Sequence, residues 1–151
     1  MFKGTFFHTL DEKGRIAIPN KLRQQIEKPA DEEVLIVTQG FERCLFAYPP
    51  STWCEIEKRA KEYSKISLTN RTARYFIRFF IEPAAECVLD KLGRIMVPQN
   101  LREYAKIRKE VVISGAVDKI EIWSKEEWEK FNKGLSERED EFIENLKNIG
   151  L

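Results

Sequence analysis

The stretch "DEKGRIAIPNKLR", Asp11 to Arg23, is written a second time as "DKLGRIMVPQNLR", Asp90 to Arg102. The two stretches lie 79 residues apart and agree at seven of thirteen positions: Asp, Gly, Arg, Ile, Pro, Leu and Arg. A chain of 151 residues has room for one ordinary domain or two very small ones. A unit of about half that length is marginal as a separate core. The two copies therefore have to share a core or associate, and this restricts the fold more than any single motif does.

The similarity continues along the chain. "LIVTQGFERCLFAYPPSTW" parallels "VVISGAVDKIEIWSKEEW", matching Gly40 to Gly115 and Trp53 to Trp128. The spacing has fallen to 75, so the first copy carries four extra residues, which fit the Pro- and charge-containing loop "EKPADEE" (27–33). Phe76, Ile77 and Phe80 have the spacing of Phe142, Ile143 and Leu146 in the last helices.

Local chemistry assigns the elements of each copy. "TFFHTL" and "AECVL" are candidate strands. "DEKG" and "DKLG" are tight turns, with Gly14 and Gly93 suited to the left-handed position of a three-residue hairpin loop. Asp at the turn start can accept hydrogen bonds from the amides that follow. "RIAI" and "RIMV" alternate as half-buried strands do. Pro19 and Pro98 end these strands and suit the first turn of a helix, where Leu22 and Ile26, or Leu101 and Ala105, share a face. Two further strands and two helices follow in each copy. Ser124 with Glu127, and Thr52 with Glu55, have capping-box spacing. The aromatic stripes on these helices read as core. The unit is β-β-α-β-β-α-α, twice, an α+β chain divided at 1–81 and 82–151. A four-stranded piece with an open edge is poorly protected, so the expected architecture is one β-barrel closed by both copies, with peripheral helices.

The formal net charge is +1, but it is unevenly spread. Residues 1–28 hold six Lys/Arg against three Asp/Glu, residues 58–78 hold seven against one, and residues 118–151 hold six against ten. A local basic surface can capture phosphates whatever the total, although charge runs of this kind also occur as plain solvated faces. Cys44, Cys54 and Cys87 are odd in number and lack CxxC spacing, which points to reduced thiols, and Cys44 and Cys54 read as core. No apolar run approaches the ~20 residues of a membrane span, and the start lacks a signal-peptide pattern, so a cytoplasmic location is expected. The single histidine, His8, leaves no Ser-His-Asp set and no metal-ligand spacing. Neither an enzyme, a cofactor, a metal nor a small-molecule substrate is expected.

"LDEKGRIAIPNKLR" and "LDKLGRIMVPQNLR", together with the opening "MFKGTFFHTLDEKGRIAIP", resemble the MraZ family, within the AbrB/SpoVT group of swapped-hairpin DNA-binding domains. The resemblance covers essentially the whole chain. It implies two tandem AbrB-like units interleaved as a pseudo-dimer, further association into a homo-oligomeric ring, and no membrane. It also implies binding of double-stranded promoter DNA at repeated boxes ahead of the division and cell-wall genes, hence a nucleoid-associated regulator of transcription. By the motif match, DNA contact is carried onto Lys13 and Arg15, and onto Lys91 and Arg94. Lys3 and His8 are weaker candidates. Arg can take a phosphate or pair with guanine, and Lys serves as a phosphate point charge. Asp11, Gly14, Asp90 and Gly93 would fix the turns. The second copy departs from the first by placing Leu92 where Lys13 stands.

Read without the resemblance, Asp11–Arg15 and Asp90–Arg94 are equally turn-fixing ion pairs with no ligand. Arg23 and Arg102 are open between ion pairs and phosphate contacts. The basic helix with Arg71, Arg74 and Arg78 is a candidate to meet, in the next subunit, the acidic helix with Glu137, Glu139, Asp140, Glu141 and Glu144. The alternative is an antitoxin-like interaction module whose acidic C-terminal helix binds a partner protein. RNA is a weaker option, because exposed stacking motifs are absent.

Overall fold

The computed structural model describes residues 1–26 and 33–151. The loop expected to hold the extra residues therefore lies, apart from Glu33, outside the described residues. The first half contains β1 (Thr5–Thr9), β2 (Arg15–Ala17), α1 (Asn20–Arg23), β3 (Val34–Gln39), β4 (Leu45–Tyr48), α2 (Pro50–Ile66) and α3 (Arg71–Phe76), which runs into a π-helical turn (Ile77–Ile81). The second contains β5 (Ala85–Val88), β6 (Arg94–Met96), α4 (Gln99–Tyr104), β7 (Glu110–Gly115), β8 (Ile120–Ser124), α5 (Lys125–Glu137) and α6 (Glu139–Asn148).

The strands do not close into the expected barrel. They form a six-stranded antiparallel sheet in the order β1-β7-β8-β4-β3-β5 and a separate two-stranded ribbon, β2-β6. The reason is strand length. β2 and β6 have three residues each and spend their ladder on one another, Ile16 opposite Ile95, before Pro19 and Pro98 stop them. Among the described residues, no strand is then left to join the outer edges of β1 and β5. The first and second strands of each copy also do not make a hairpin ladder. The tight turn between them passes the chain from sheet to ribbon. Pairing is reciprocal between the halves: β1 lies on β7, β5 on β3, and β4 on β8.

The ribbon, α1 and α4 cover one face of the sheet. Ile16, Leu22, Leu35, Val37, Leu45, Ile95, Val97, Leu101, Ile113, Ile120 and Ile122 are fully buried in that core. The opposite face carries a second, aromatic core of Phe46, Tyr48, Trp53, Phe80 and Trp123, covered by α2, α3 and α5. A sheet clothed on both faces explains why β4 is apolar and buried at every position, and why Leu35–Val37 and Val111–Ile113 are continuous apolar runs.

The register corrects the placement of the extra residues. Thr9 pairs with Glu110 and its counterpart Val88 pairs with Val34, so β3 and β7 correspond at a spacing of 76. Ile36 faces Tyr48 and Val112 faces Trp123, so β4 and β8 correspond at 75. Three extra residues therefore precede β3. The fourth lies in the β3–β4 connection, where Glu42 and Arg43 take φ of 56° and 68° in a short 3-10 turn.

The helix starts are also uneven. Ser124 Oγ accepts the Glu127 amide at 3.1 Å, as the capping pattern requires. Thr52 caps nothing, because α2 starts earlier, at Pro50 after Pro49. The last helices diverge as well. In the first half Thr38 Oγ1 donates to the Phe80 carbonyl at 2.6 Å and Phe80 is buried. In the second, Phe142 and Ile143 on α6 remain 44% and 43% exposed.

If the ribbon is core, Ile95→Ala should lower the unfolding free energy by about 2–5 kcal/mol in urea titration, whereas Phe142→Ala should change it by less than about 1 kcal/mol in the monomeric state.

Candidate nucleic-acid interface

Each motif turn is organised by its aspartate. Asp11 Oδ1 accepts the amides of Lys13 and Arg15, both at 2.9 Å, and Oδ2 accepts Arg15 Nε at 2.6 Å. Asp90 repeats this with Leu92, Arg94 and Arg94 Nε, all at 2.9 Å. Gly14 and Gly93 take φ of +79° and +75°, the left-handed region in which a Cβ is penalised. The β2–β6 pairing then places the two turns side by side. Arg94 Nη1 lies 3.5 Å from Asp11 Oδ2, and Arg15 Nη1 lies 3.9 Å from Asp90 Oδ2.

The result is a four-member Asp–Arg–Asp–Arg network joining both copies of the motif. Hydrogen bonds from the Arg15 backbone amide, then from its side chain and the Lys13 amide, hold the Asp11 carboxyl below the usual carboxylate range against the opposing effect of burial. Asp90 is lowered in the same way by Arg94 and Leu92. The network's formal charges cancel, so Arg15 and Arg94 do not by themselves make this end of the molecule basic. Their side chains are only 27% and 26% exposed.

The helical arginines cross between halves. A Cβ on Gly14 would stand 2.7 Å from Arg102 Nη1, and one on Gly93 would run into the Arg23 guanidinium. Each glycine thus serves twice, through its φ and through the arginine packed on it. Arg23 is also ion-paired, its Nε lying 3.6 Å from Glu33 Oε2.

The other sequence candidates are scattered. Lys13 is exposed at the first turn, Leu92 is 68% exposed at the matching place, and Lys91 is exposed one residue before it. Lys3 is not brought to this end. Gly115 donates to the Gly4 carbonyl, which puts Lys3 at the far end of β1, and His8 pairs with Val111 within the strand. Arg74 is occupied, its Nη1 donating to the Ser67 and Leu68 carbonyls at 2.7 and 3.0 Å at the end of α2. Arg78, Glu137 and Glu141 are exposed. Among the described residues, no ion pair joins α3 to α6.

Cys54 is exposed, contrary to its core assignment, while Cys44 and Cys87 are buried. Burial pushes the Cys44 thiol far up and the Cys87 thiol to about 11, so neither ionises near neutrality. Among the described residues there is no group of three or more His, Cys, Asp or Glu placed to hold a metal, and no helix long and apolar enough to cross a membrane.

Sequence reasoning missed Arg108 and Lys109. With Leu10, Asp11, Glu12, Lys13, Gly14 and Arg102 they line an open cleft of about 510 Å³ beside the first turn. The basic run "KIRKE" (106–110) was visible, but its proximity to Lys13 comes only from the pairing of β1 with β7.

Because the two aspartates are lowered in the folded state, their stabilisation is fully present above about pH 4 and is lost as pH falls through the lowered values. The double variant Asp11→Asn/Asp90→Asn should therefore be less stable than wild type at pH 7, and the difference should shrink progressively below pH ~4. Urea unfolding at a series of pH values checks this, and a gap that stays constant down to pH ~2 would contradict it.

The family described as "MraZ protein, putative antitoxin-like" matches the chain twice, over residues 1–79 and 80–147. Among curated relatives, the "Transcriptional regulator MraZ" of Desulforamulus reducens is 42% identical over 149 residues, covering 99% of each chain. The proteins of the same name from Caldanaerobacter subterraneus subsp. tengcongensis and Halothermothrix orenii are 41% and 39% identical over 151 residues, covering 100% of both chains. The repeat, the paired turns and this full-length similarity agree: the chain belongs to the MraZ family.

Proposed function

We propose that this chain is a sequence-specific regulator of transcription that binds double-stranded promoter DNA through the β2–β6 end of the molecule. One observation carries the reading. Two motif turns, from residues far apart in sequence, are locked together by shared Asp–Arg contacts at a single end of the fold. The relatives' name, transcriptional regulator, supports it. A two-stranded ribbon is of a size to enter the major groove. In this reading Asp11, Gly14, Asp90 and Gly93 hold the turns. Arg15 and Arg94, each bound to its own aspartate through Nε and set beside the opposite aspartate through Nη1, offer Nη2 to a guanine edge or a phosphate. Lys13 and Lys91 supply phosphate contacts, and Lys3 is a peripheral charge. Residues 1–81 and 82–151 act as the two members of a pseudo-dimer.

One small module holds DNA weakly, and several modules on repeated boxes gain effective concentration without new contacts. Association into a ring on boxes ahead of the division and cell-wall genes, in the nucleoid, completes the proposal. The exposed Phe142, Ile143 and Glu141 of α6, with Glu137 at the end of α5, suit the basic, exposed Arg78 of a neighbouring copy, with Arg74 occupied in its own chain. A head-to-tail contact of this kind closes rings. The same exposed helix favours a second reading, an interaction module that binds a partner protein through α6.

Gel shift with the protein's own upstream promoter region should give a salt-sensitive complex. Arg15→Ala should weaken it at least tenfold while leaving the circular dichroism spectrum unchanged, and equal binding would move the DNA surface elsewhere. Arg78→Glu should reduce the oligomer mass in moderate salt. An unchanged mass removes the proposed subunit contact and leaves α6 to a partner protein.

A further inference from the structure

We infer that the cleft beside the first turn, formed by Lys13, Arg102, Arg108 and Lys109, is a phosphate site for the DNA backbone, and that the corresponding place beside the second turn is closed by Glu33. The inference rests on the DNA-binding reading and deepens it by adding three residues and making the interface one-sided.

The two halves correspond position by position around the turns. Arg23 and Arg102 are counterparts, each packed on the turn glycine of the opposite half. Glu33 and Lys109 are counterparts too. The Glu33 carbonyl accepts the Leu89 amide at 2.9 Å, and the Lys109 carbonyl accepts the Leu10 amide at 2.8 Å. A carboxylate that pairs with Arg23 is thus replaced by an ammonium beside Arg102. In sequence Glu32 likewise precedes Glu33 where Arg108 precedes Lys109.

The charge count in the first cleft is correspondingly unbalanced. Among the described residues, no carboxylate is ion-paired with Lys13, Arg102, Arg108 or Lys109. Asp11 also lines the cleft, but its oxygens are held by two turn amides, Arg15 and Arg94. Glu12 is the remaining acid, one against four cations.

Arg102 is the most informative member. Its Nε, like that of Arg23, is buried without a hydrogen-bond partner, which is costly for a charged donor, but among the described residues only Arg23 has a carboxylate at ion-pair distance. Its Nη1 lies where a side chain on Gly14 would sit, so the glycine leaves the guanidinium room at the cleft wall. A phosphate offers several strong acceptor oxygens to a guanidinium fork and to point-like lysines. The cleft is open, has a volume of about 510 Å³ and is lined by all four cations.

The test is fluorescence anisotropy of the full-length protein with its own upstream promoter fragment over a range of salt. Arg108→Gln/Lys109→Gln changes two exposed residues outside the helices and strands. It should weaken binding about 10–100-fold and lower the salt slope by about 1–2, near 0.9 per lost phosphate contact. The charge-matched control Lys61→Gln/Lys65→Gln on α2 should change affinity less than about threefold. Glu33→Gln should tighten binding and steepen the slope by releasing Arg23. Equal losses from both double variants, or no gain from Glu33→Gln, would overturn the one-sided site while leaving DNA binding intact. Failure of the wild-type protein to bind at any salt would instead remove the DNA reading and this site with it. Thermal melts by circular dichroism separate lost binding from lost folding.

Discussion

Ile16 faces Ile95 across the β2–β6 ribbon, both fully buried, and the rest of the molecule depends on that contact. It joins the two halves where each is least able to stand alone. A three-residue strand has too little surface and too few hydrogen bonds to persist by itself. Paired with its copy, it covers a face of the six-stranded sheet and brings two distant turns to one place. The turns are then cross-linked by Asp–Arg contacts, and each receives an arginine from the other half. Duplication is thus a packing solution first, and the juxtaposition of the two turns follows from it.

The same arrangement changes how the motif's charge is understood. In sequence, Arg15 and Arg94 look like the source of a basic surface. In the fold each is matched by an aspartate, and the network is formally neutral. Specific hydrogen bonding remains available to the guanidinium edges, but long-range attraction has to come from elsewhere. Lys13 and the α4–β7 connection gather cations beside the first turn, while Glu33 pairs with Arg23 beside the second. A chain of near-zero total charge therefore carries unequal charge around its two turns.

Some of this was legible from residue chemistry alone. The Asp-x-x-Gly-Arg turns, the left-handed glycines and the Ser124 cap depend on neighbours within four positions, where spacing determines geometry. The aromatic stripe led by Trp53 reads as core and is so only at its start: Trp53 is buried, whereas Tyr63 is 41% exposed. Other readings failed for identifiable reasons. A barrel was expected because eight strands and two open edges suggest closure, but sequence does not state that β2 and β6 are too short to reach those edges. All four extra residues were assigned to the Pro-containing loop, because alignment on Gly40 and Gly115 hid a one-residue difference in the β3–β4 connection. Cys54 sits in an apolar neighbourhood of the sequence yet on the outer face of α2. Arg74 is spent on helix-end carbonyls, an arrangement created by the bend between α2 and α3.

The sequence by itself determined that there are two copies of one unit, which residues make the turns, and which segments are strands. These follow from local backbone preference and periodicity. Only the tertiary structure decided which strand pairs with which half, and so which charges become neighbours. Lys13 and Lys109 are 96 residues apart in sequence and share a cleft because β1 lies on β7. Electrostatics acts through space. The difference between an arginine facing Glu33 and an arginine facing Lys109 is therefore set by the fold.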